Sequence, residues 1–448
     1  MADQPPGGLP FGFGPTDPAD GGAGMGAADL GRMLQQFGAM LQRSGDGPVA
    51  WDVVRDVARQ TLAGSAATAT VGFSPPENAA DPALVPADRE KVRVAYDLAD
   101  LWLNDATALG STGRPVRAWS RAEWVEQTLP GWKPYVEPVA QRVAEQSDVS
   151  SMLTDPGLGD ELREGLPPGL AGMLGGLPGG AGALDDPGAL AGMLAPLAGM
   201  MKSFGTVAFS QMTGQGLGAL AGEVLSGGDI GIPLTDHPVL VPAGIAGFAD
   251  GLVQSLDDVR LYLALREAAH HRLFTHAPWL RGRIAGLITD YSRGVKVDLG
   301  RIRELGGSID PSDPQALQQA LSSGMLTPSD TPEQKLALER LEVVLALVEG
   351  WVDRVVSDAT AERMPAAVAL GEQMRRRRAS GGPAEQVFAQ LVGLELRPRR
   401  AREAAALWWT VAAKRGIAAR DECWTTPDPL PGASDLEDPD AFATNLPG

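Results

Sequence analysis

Leucine, valine and tryptophan recur at helical spacing from Ala28 to about Gly64 and again from Asp88 to Leu109, which predicts scaffold helices with Trp102 and Trp124 as core anchors. A sharper pattern begins at Ser255, an N-cap residue with Asp258 three positions on, and runs to about His276 before Pro278 stops it. Along it Val259, Leu263, Arg266, His270 and Leu273 or Phe274 follow i, i+3, i+4 spacing, so Arg266 and His270 fall on the apolar face and Glu267 flanks it. A third helix opens at Thr331-Pro332-Glu333-Gln334, an N-cap, a first-turn proline and a capping-box glutamine. Its stripe is Leu341, Leu345, Val348, Val352 and Val356, and Glu349 lies inside that stripe. A charged group facing a core is costly without a partner, so both helices point to a site.

Residues 204–225 place Gly214, Gly218 and Gly222 at every fourth position, which lets another backbone approach closely. Lys202 and Glu223 bound this stretch and Ser, Gln and Thr interrupt it, so a buried helix is expected rather than a membrane span. Gly216-x-Gly218-x-x-Ala221 matches a dinucleotide fingerprint only weakly, because no βαβ pattern surrounds it. The run DIGIPLTDHPVLVPAGI, residues 229–245, suits one or two short strands. The fold class expected is therefore mainly α with a short β element. Five regions are expected: a Gly- and Pro-rich disordered tail over 1–27, an N-terminal helical region over 28–157, a Gly/Pro/Met/Leu-rich segment over 158–203, a core over 204–423, and an acidic Pro-rich tail over 424–448 lying extended on the surface. The words LAGML and LAGMM recur in the third region at uneven spacing, which argues against a solenoid.

Composition narrows the function. With 56 acidic against 38 basic side chains in 448 residues, a net charge of −18 disfavours nucleic acid and anionic membrane as partners. The N-terminus lacks the basic and apolar regions of a secretory signal, and a single cysteine, Cys423, excludes an internal disulfide framework; both suit a cytoplasmic protein with an inert packed thiol. Two basic runs, Arg375 to Arg378 and then Arg397, Arg399, Arg400 and Arg402, are expected to pair with the acidic excess, since no aromatic platform is interleaved. Trp408 and Trp409 are expected in the core. Neither G-x-S-x-G nor G-x-x-x-x-G-K-[ST] occurs, so the serine-elbow and P-loop chemistries lack their motifs.

The chemistry-bearing pattern is Arg266-Glu267-Ala268-Ala269-His270, the helical zinc-peptidase signature H-E-x-x-H with arginine in place of the first histidine. In the intact motif two histidines one turn apart bind zinc from one helix face, and the glutamate acts as general base. Arginine stays protonated and cannot ligate a metal. Three other histidines are candidates to restore the missing ligand. His276 stands ten positions after Arg266, but Leu273 occupies the place of the glycine that turns the chain in such motifs. His271 points a third of a turn away from His270, and His237 sits in a Pro-flanked loop, so each is expected to be structural.

The run REAAHHRLFTHAPWL, with LVEGWVD and GGPAEQVFAQLVGLELRPRRAREAAALW, resembles the actinobacterial zinc-dependent metalloprotease-like proteins, a zincin-like group often labelled hydrolases, over most of residues 90–445. The resemblance implies a zincin-like metalloprotease fold and a zinc cofactor. It assigns His270 and Glu349 to ligand positions and Glu267 to the general base, while Arg266 departs from the pattern. If the two helices pack as zincin helices do, the Arg266 guanidinium stands where a metal would and binds Glu349 or Glu267. The function this implies is a degenerate metallopeptidase that keeps a peptide- or protein-binding cleft, with zinc absent or weakly held. The alternatives are a working zinc hydrolase with a rearranged metal site, or a purely structural or interaction protein.

Overall fold

The computed structural model describes residues 47–64, 81–146, 187–297, 326–328, 331–379, 400–428 and 430–446. The expected tail over 1–27, most of the 158–203 segment, and Arg397 and Arg399 lie outside the described residues. Asp46–Gly448 form one compact unit. In chain order its helices and strands are α1 (Trp51–Leu62), α2 (Pro86–Leu103), β1 (Arg117–Ala118), α3 (Arg121–Gln146), α4 (Pro187–Glu223), β2 (Val239–Leu240), α5 (Pro242–Ala249), α6 (Leu256–His276) and α7 (Trp279–Ser292). They continue with β3 (Val295–Val297), β4 (Leu326–Pro328), α8 (Pro332–Thr360), α9 (Ala367–Ala379), α10 (Ala401–Glu422), α11 (Ala433–Glu437) and α12 (Pro439–Asn445). The fold is thus mainly helical. Among the described residues the strands form two two-stranded sheets, β1 with β2 in parallel and β3 with β4 antiparallel. Among the described residues no helix is long and apolar enough to cross a membrane.

Helix α4 begins inside the Gly/Pro/Met/Leu-rich segment and runs through to Glu223, so the boundary expected at 203 falls within a helix. Leucine, methionine and alanine are strong helix formers, and they outweigh the scattered glycines there. The glycine ridge works as its spacing predicts. A methyl group on Gly214 would stand 2.7 Å from the Val54 carbonyl oxygen, and one on Gly218 would stand 2.6 Å from that of Ala58, so α1 lies directly against α4. The Gly216-x-Gly218-x-x-Ala221 words are the interior of this helix and not a strand-to-helix turn, which removes the dinucleotide reading.

Helices α6 and α8 form the centre. The Ser255 hydroxyl accepts from the Asp258 N–H and starts α6, which ends at His276 with Ala277 as C-cap, one residue before Pro278. Thr331 caps α8 in the same way by accepting from the Gln334 N–H, but the Gln334 side chain does not complete a capping box; its amide donates to the Tyr291 carbonyl. Between α8 and α10 the spacing is set by Gly350, where a methyl group would fall 2.6 Å from the Ala404 Cβ. Trp351, next in sequence, is fully buried and donates through Nε1 to Asp421 at 2.8 Å. Asp421 also accepts from the Thr107 hydroxyl at 2.6 Å and from Arg420 Nε at 2.7 Å, and so ties α10 to the chain after α2.

Two expectations fail at the C-terminus. Trp408 is buried and donates to the Leu347 carbonyl, but Trp409 is 54% exposed, because consecutive helix positions turn by about 100° and only one can face α8. The 424–448 region is not extended. Asp438 caps α12 by accepting from the Ala441 N–H, Pro439 stands in its first turn, and Trp424, Leu436 and Ala443 are buried. Trp124 and Cys423 are buried as expected, and burial pushes the thiol up to about 11.

Candidate functional site: a buried arginine–carboxylate network

The centre of α6 is buried on all sides from Tyr262 to Leu273, and it carries Arg266, Glu267, His270, His271 and Arg272 with it. The site forms where this helix meets α8, the end of α9 and the loop 227–231. Arg266 forks across one turn of α8. Its Nη2 donates to Glu349 Oε2 at 2.8 Å, and its Nη1 donates to Asp353 Oδ1. The expected contact with Glu349 is present. The alternative contact with Glu267 is not, and Asp353 takes that place.

Glu349 is the hub. Arg378, in the last turn of α9, donates to the same Oε2 that Arg266 holds, and His270 Nε2 lies 3.1 Å from Oε1. The other ring nitrogen, Nδ1, is 2.9 Å from the Arg266 carbonyl oxygen, which can only accept, so Nδ1 carries a hydrogen. The Nε2 contact with a carboxylate is then attractive only if Nε2 is also protonated or if a cation lies between them. Magnitudes explain why one partner would not suffice. Desolvation costs several kcal/mol per buried ion, whereas a single pair at about 4 Å returns only ~4 kcal/mol at an effective dielectric near 20. Burial opposes the charged form of Glu349, but Arg378, then His270 and Arg266, outweigh it and hold the carboxyl well below the usual range.

Glu267 faces the other way. Its Oε2 accepts the Gly228 N–H and its Oε1 the Val239 N–H, each at 2.8 Å. Burial raises its pKa, and those two N–H groups pull it partly back. The loop Gly227-Gly228-Asp229-Ile230-Gly231 presses on all three motif carboxylate and imidazole groups. A methyl group on Gly228 would stand 3.0 Å from Glu267 Oε2 and 2.9 Å from His270 Cβ, and one on Gly231, at φ +75°, 3.0 Å from Glu349 Oε1. Glycine is required at 231 on both counts. Arg377 closes the loop onto α9 by donating to both oxygens of Asp229 at 3.0 Å.

The arginine runs thus divide. Arg375 and Arg376 pair with Glu372, and Arg400 with Glu403, as expected of solvated helix ends. Arg377 and Arg378 instead belong to the site. The remaining histidines make no contact with Arg266 or Glu349: His276 is exposed and its Nδ1 bonds back to the Arg272 carbonyl, and His237 lies near His271. His271 is buried, and its Nε2 has no hydrogen-bond partner among the described residues.

Burial, with Arg114 and His237 nearby, pushes His271 down to about 4 from 6.5. An unfolded chain therefore binds the proton first, so this group's contribution to stability is complete above pH 6.5 and is lost as pH falls toward 4. The loss reaches about 3 kcal/mol. Urea unfolding at pH 7 and pH 4.5 is expected to show it in the native chain and to show a flatter response in His271→Phe. Equal slopes would contradict the assignment.

As a set of donors, His270 and Glu349 are two where catalytic zinc takes three from the protein. Among the described residues no three His, Cys, Asp or Glu side chains converge to hold a metal. The architecture is nonetheless that of a zincin: a motif helix bearing Glu267 and His270 crossed by a second helix bearing Glu349. A family profile described as zincin-like metallopeptidase matches residues 49–443, and the chain belongs to that family. No curated protein matches. A crystal structure of a candidate hydrolase with a novel fold from Chloroflexus aurantiacus superposes with a TM-score of 0.53 at 18% identity, covering 88% of this chain and 98% of that one, a likeness of fold alone.

Proposed function

We propose that this chain is a zincin-type protein in which a guanidinium has replaced the metal and which works by binding a peptide or protein rather than by zinc-dependent hydrolysis. The observation that carries the reading is the fork of Arg266 over Glu349 and Asp353, with Arg378 on the same Glu349 oxygen. The side chains present do not fit zinc. Two arginines already neutralise the carboxylate a metal would need, a third ligand is missing among the described residues, and a dication beside two fixed guanidinium groups is repelled. Glu267 is equally ill placed for proton transfer, because both its oxygens are engaged by backbone N–H groups. The family and the fold support a hydrolase ancestry at the level of the zincin class; the residues of this site support its loss.

A second reading, in which Arg266, His270 and Glu349 only hold the core together, is favoured by their burial: each side chain is 2–4% exposed, and the loop 227–231 lies against them. Peptide cleavage separates both readings from a working enzyme. A mixture of unstructured peptides incubated with native protein is expected to show no cleavage that a zinc chelator suppresses. Chelator-sensitive cleavage that persists in highly purified protein and disappears in Glu267→Gln would overturn the proposal.

A further inference from the structure

A cleft of about 590 Å³ opens between α2 and residues 111–116. Its size lies within the range of roughly 300–1,000 Å³ typical of ligand pockets. One layer of side chains separates it from the motif helix: Tyr96 and Asp100 line it, and Asp100 accepts from Arg272 of α6 through Nε at 3.0 Å and Nη2 at 2.7 Å.

Three features give the cleft a chemistry. Tyr96 is only 5% exposed, lines the cleft, and has no hydrogen-bond partner for its hydroxyl among the described residues. The ring is buried while the hydroxyl stands open to the cleft, where a bound ligand can meet it. Second, the lining guanidinium groups differ in their commitments. Arg93 is closed on Glu90 and Asp97, whereas Arg89 donates only to the Leu84 carbonyl and Arg114 only to the Asp236 carbonyl, so neither has a carboxylate partner among the described residues. Third, the wall is built. Ser111 donates to Asp100 at 2.5 Å, its Oγ accepts the Gly113 N–H at 3.3 Å, and Gly113 takes φ +64° to turn the chain. The lining charges balance in number, Arg89, Arg93 and Arg114 against Glu90, Asp97 and Asp100, but Arg93 is closed on Glu90 and Asp97, and Asp100 on Arg272, which leaves Arg89 and Arg114 to meet an anion.

We infer that this cleft binds a carboxylate-bearing polar ligand of about dipeptide size, its carboxylate on Arg89 and Arg114 and its body hydrogen-bonded to the Tyr96 hydroxyl. The inference goes beyond the reading of Arg266 and holds whether or not a metal was displaced there. It rests on guanidinium–carboxylate recognition and on the unpartnered phenol.

Calorimetric titration of the full chain with alanyl-alanine, succinate and inorganic phosphate tests it. At least one of the two carboxylates is expected to saturate the protein, with phosphate weaker; alanyl-alanine would identify a peptide end as the source, and succinate alone a free carboxylate metabolite. Arg114→Gln and Arg89→Gln, both at exposed positions, are expected to weaken that binding about tenfold or more each, and Tyr96→Phe several-fold. No saturation by any of the three, phosphate binding at least as tight as either carboxylate, or affinity unchanged in both arginine variants would overturn the inference. Circular dichroism confirms that the variants are folded, and Arg89→Gln keeps the test open if Arg114→Gln is not.

Discussion

Arg266→Leu is expected to lower the free energy of unfolding by about 3–5 kcal/mol, the usual loss when one partner of a buried ion network is removed. The substitution keeps an apolar side chain in α6 but leaves Asp353 without its cation and Glu349 with two of its three partners. Arg266→Lys should recover only part of the loss, since an ammonium cannot fork across a helical turn as a planar guanidinium does. Urea unfolding of the three proteins at pH 7 measures this directly. A loss under about 1 kcal/mol for the leucine variant, the scale of an exposed pair, would mean that the fork contributes little.

Glu349→Gln is expected to cost a similar 3–5 kcal/mol, because it leaves the buried Arg266 and the half-buried Arg378 against a neutral amide. Its signature is acid dependence. The Glu349 carboxyl lies well below the usual range when folded, so beneath about pH 4.3 the unfolded chain binds the proton more readily. The stability Glu349 contributes is present above that pH and is lost as pH falls toward the folded value. Glu267 has the opposite sign: its folded pKa is raised above the unfolded value, so its contribution improves as pH falls toward about 4.3 and is complete before the window in which Glu349 acts. Unfolding midpoints at pH 7, 4 and 3 should fall steeply in the native chain and less steeply in Glu349→Gln. The double variant Arg266→Leu/Glu349→Gln should lose less than the two single losses combined, because the residues share one interaction.

The parts of this site that the sequence displays are those whose signals are local. Helix α6 is bounded by Ser255 and Pro278, α8 opens at Thr331-Pro332, and the arginine at 266 departs from a five-residue pattern without any need of tertiary context. Asp353 was visible in LVEGWVD, one turn after Glu349, but only the crossing of α6 shows that its oxygen meets Arg266. Arg378 was hidden for a stronger reason. A run of four arginines looks alike from within the sequence, and the approach of α9 decides that Arg376 faces Glu372 in solvent while Arg378 reaches Glu349. Residues 229–231 stand at the start of a run expected to form strands, but only Val239–Leu240 does so; the closeness of the loop 227–231 to Glu267, His270 and Glu349 comes from the return of the chain into β2. In the C-terminal region the signals were present, Asp438 before Pro439, but a Pro- and Asp-rich composition masked two short helices whose Leu436 and Ala443 complete the core.

Elemental analysis of the purified, untagged protein, with Arg266→His and Arg266→His/Arg378→Gln measured beside it, reads out whether Arg266 occupies a vacated metal position. The expected result is a native chain without bound zinc and histidine variants that gain it, the double variant most fully, since it restores the third ligand and frees Glu349. About one zinc per native chain, released by His270→Ala or Glu349→Gln, would contradict the claim and return the protein to the working metallopeptidases.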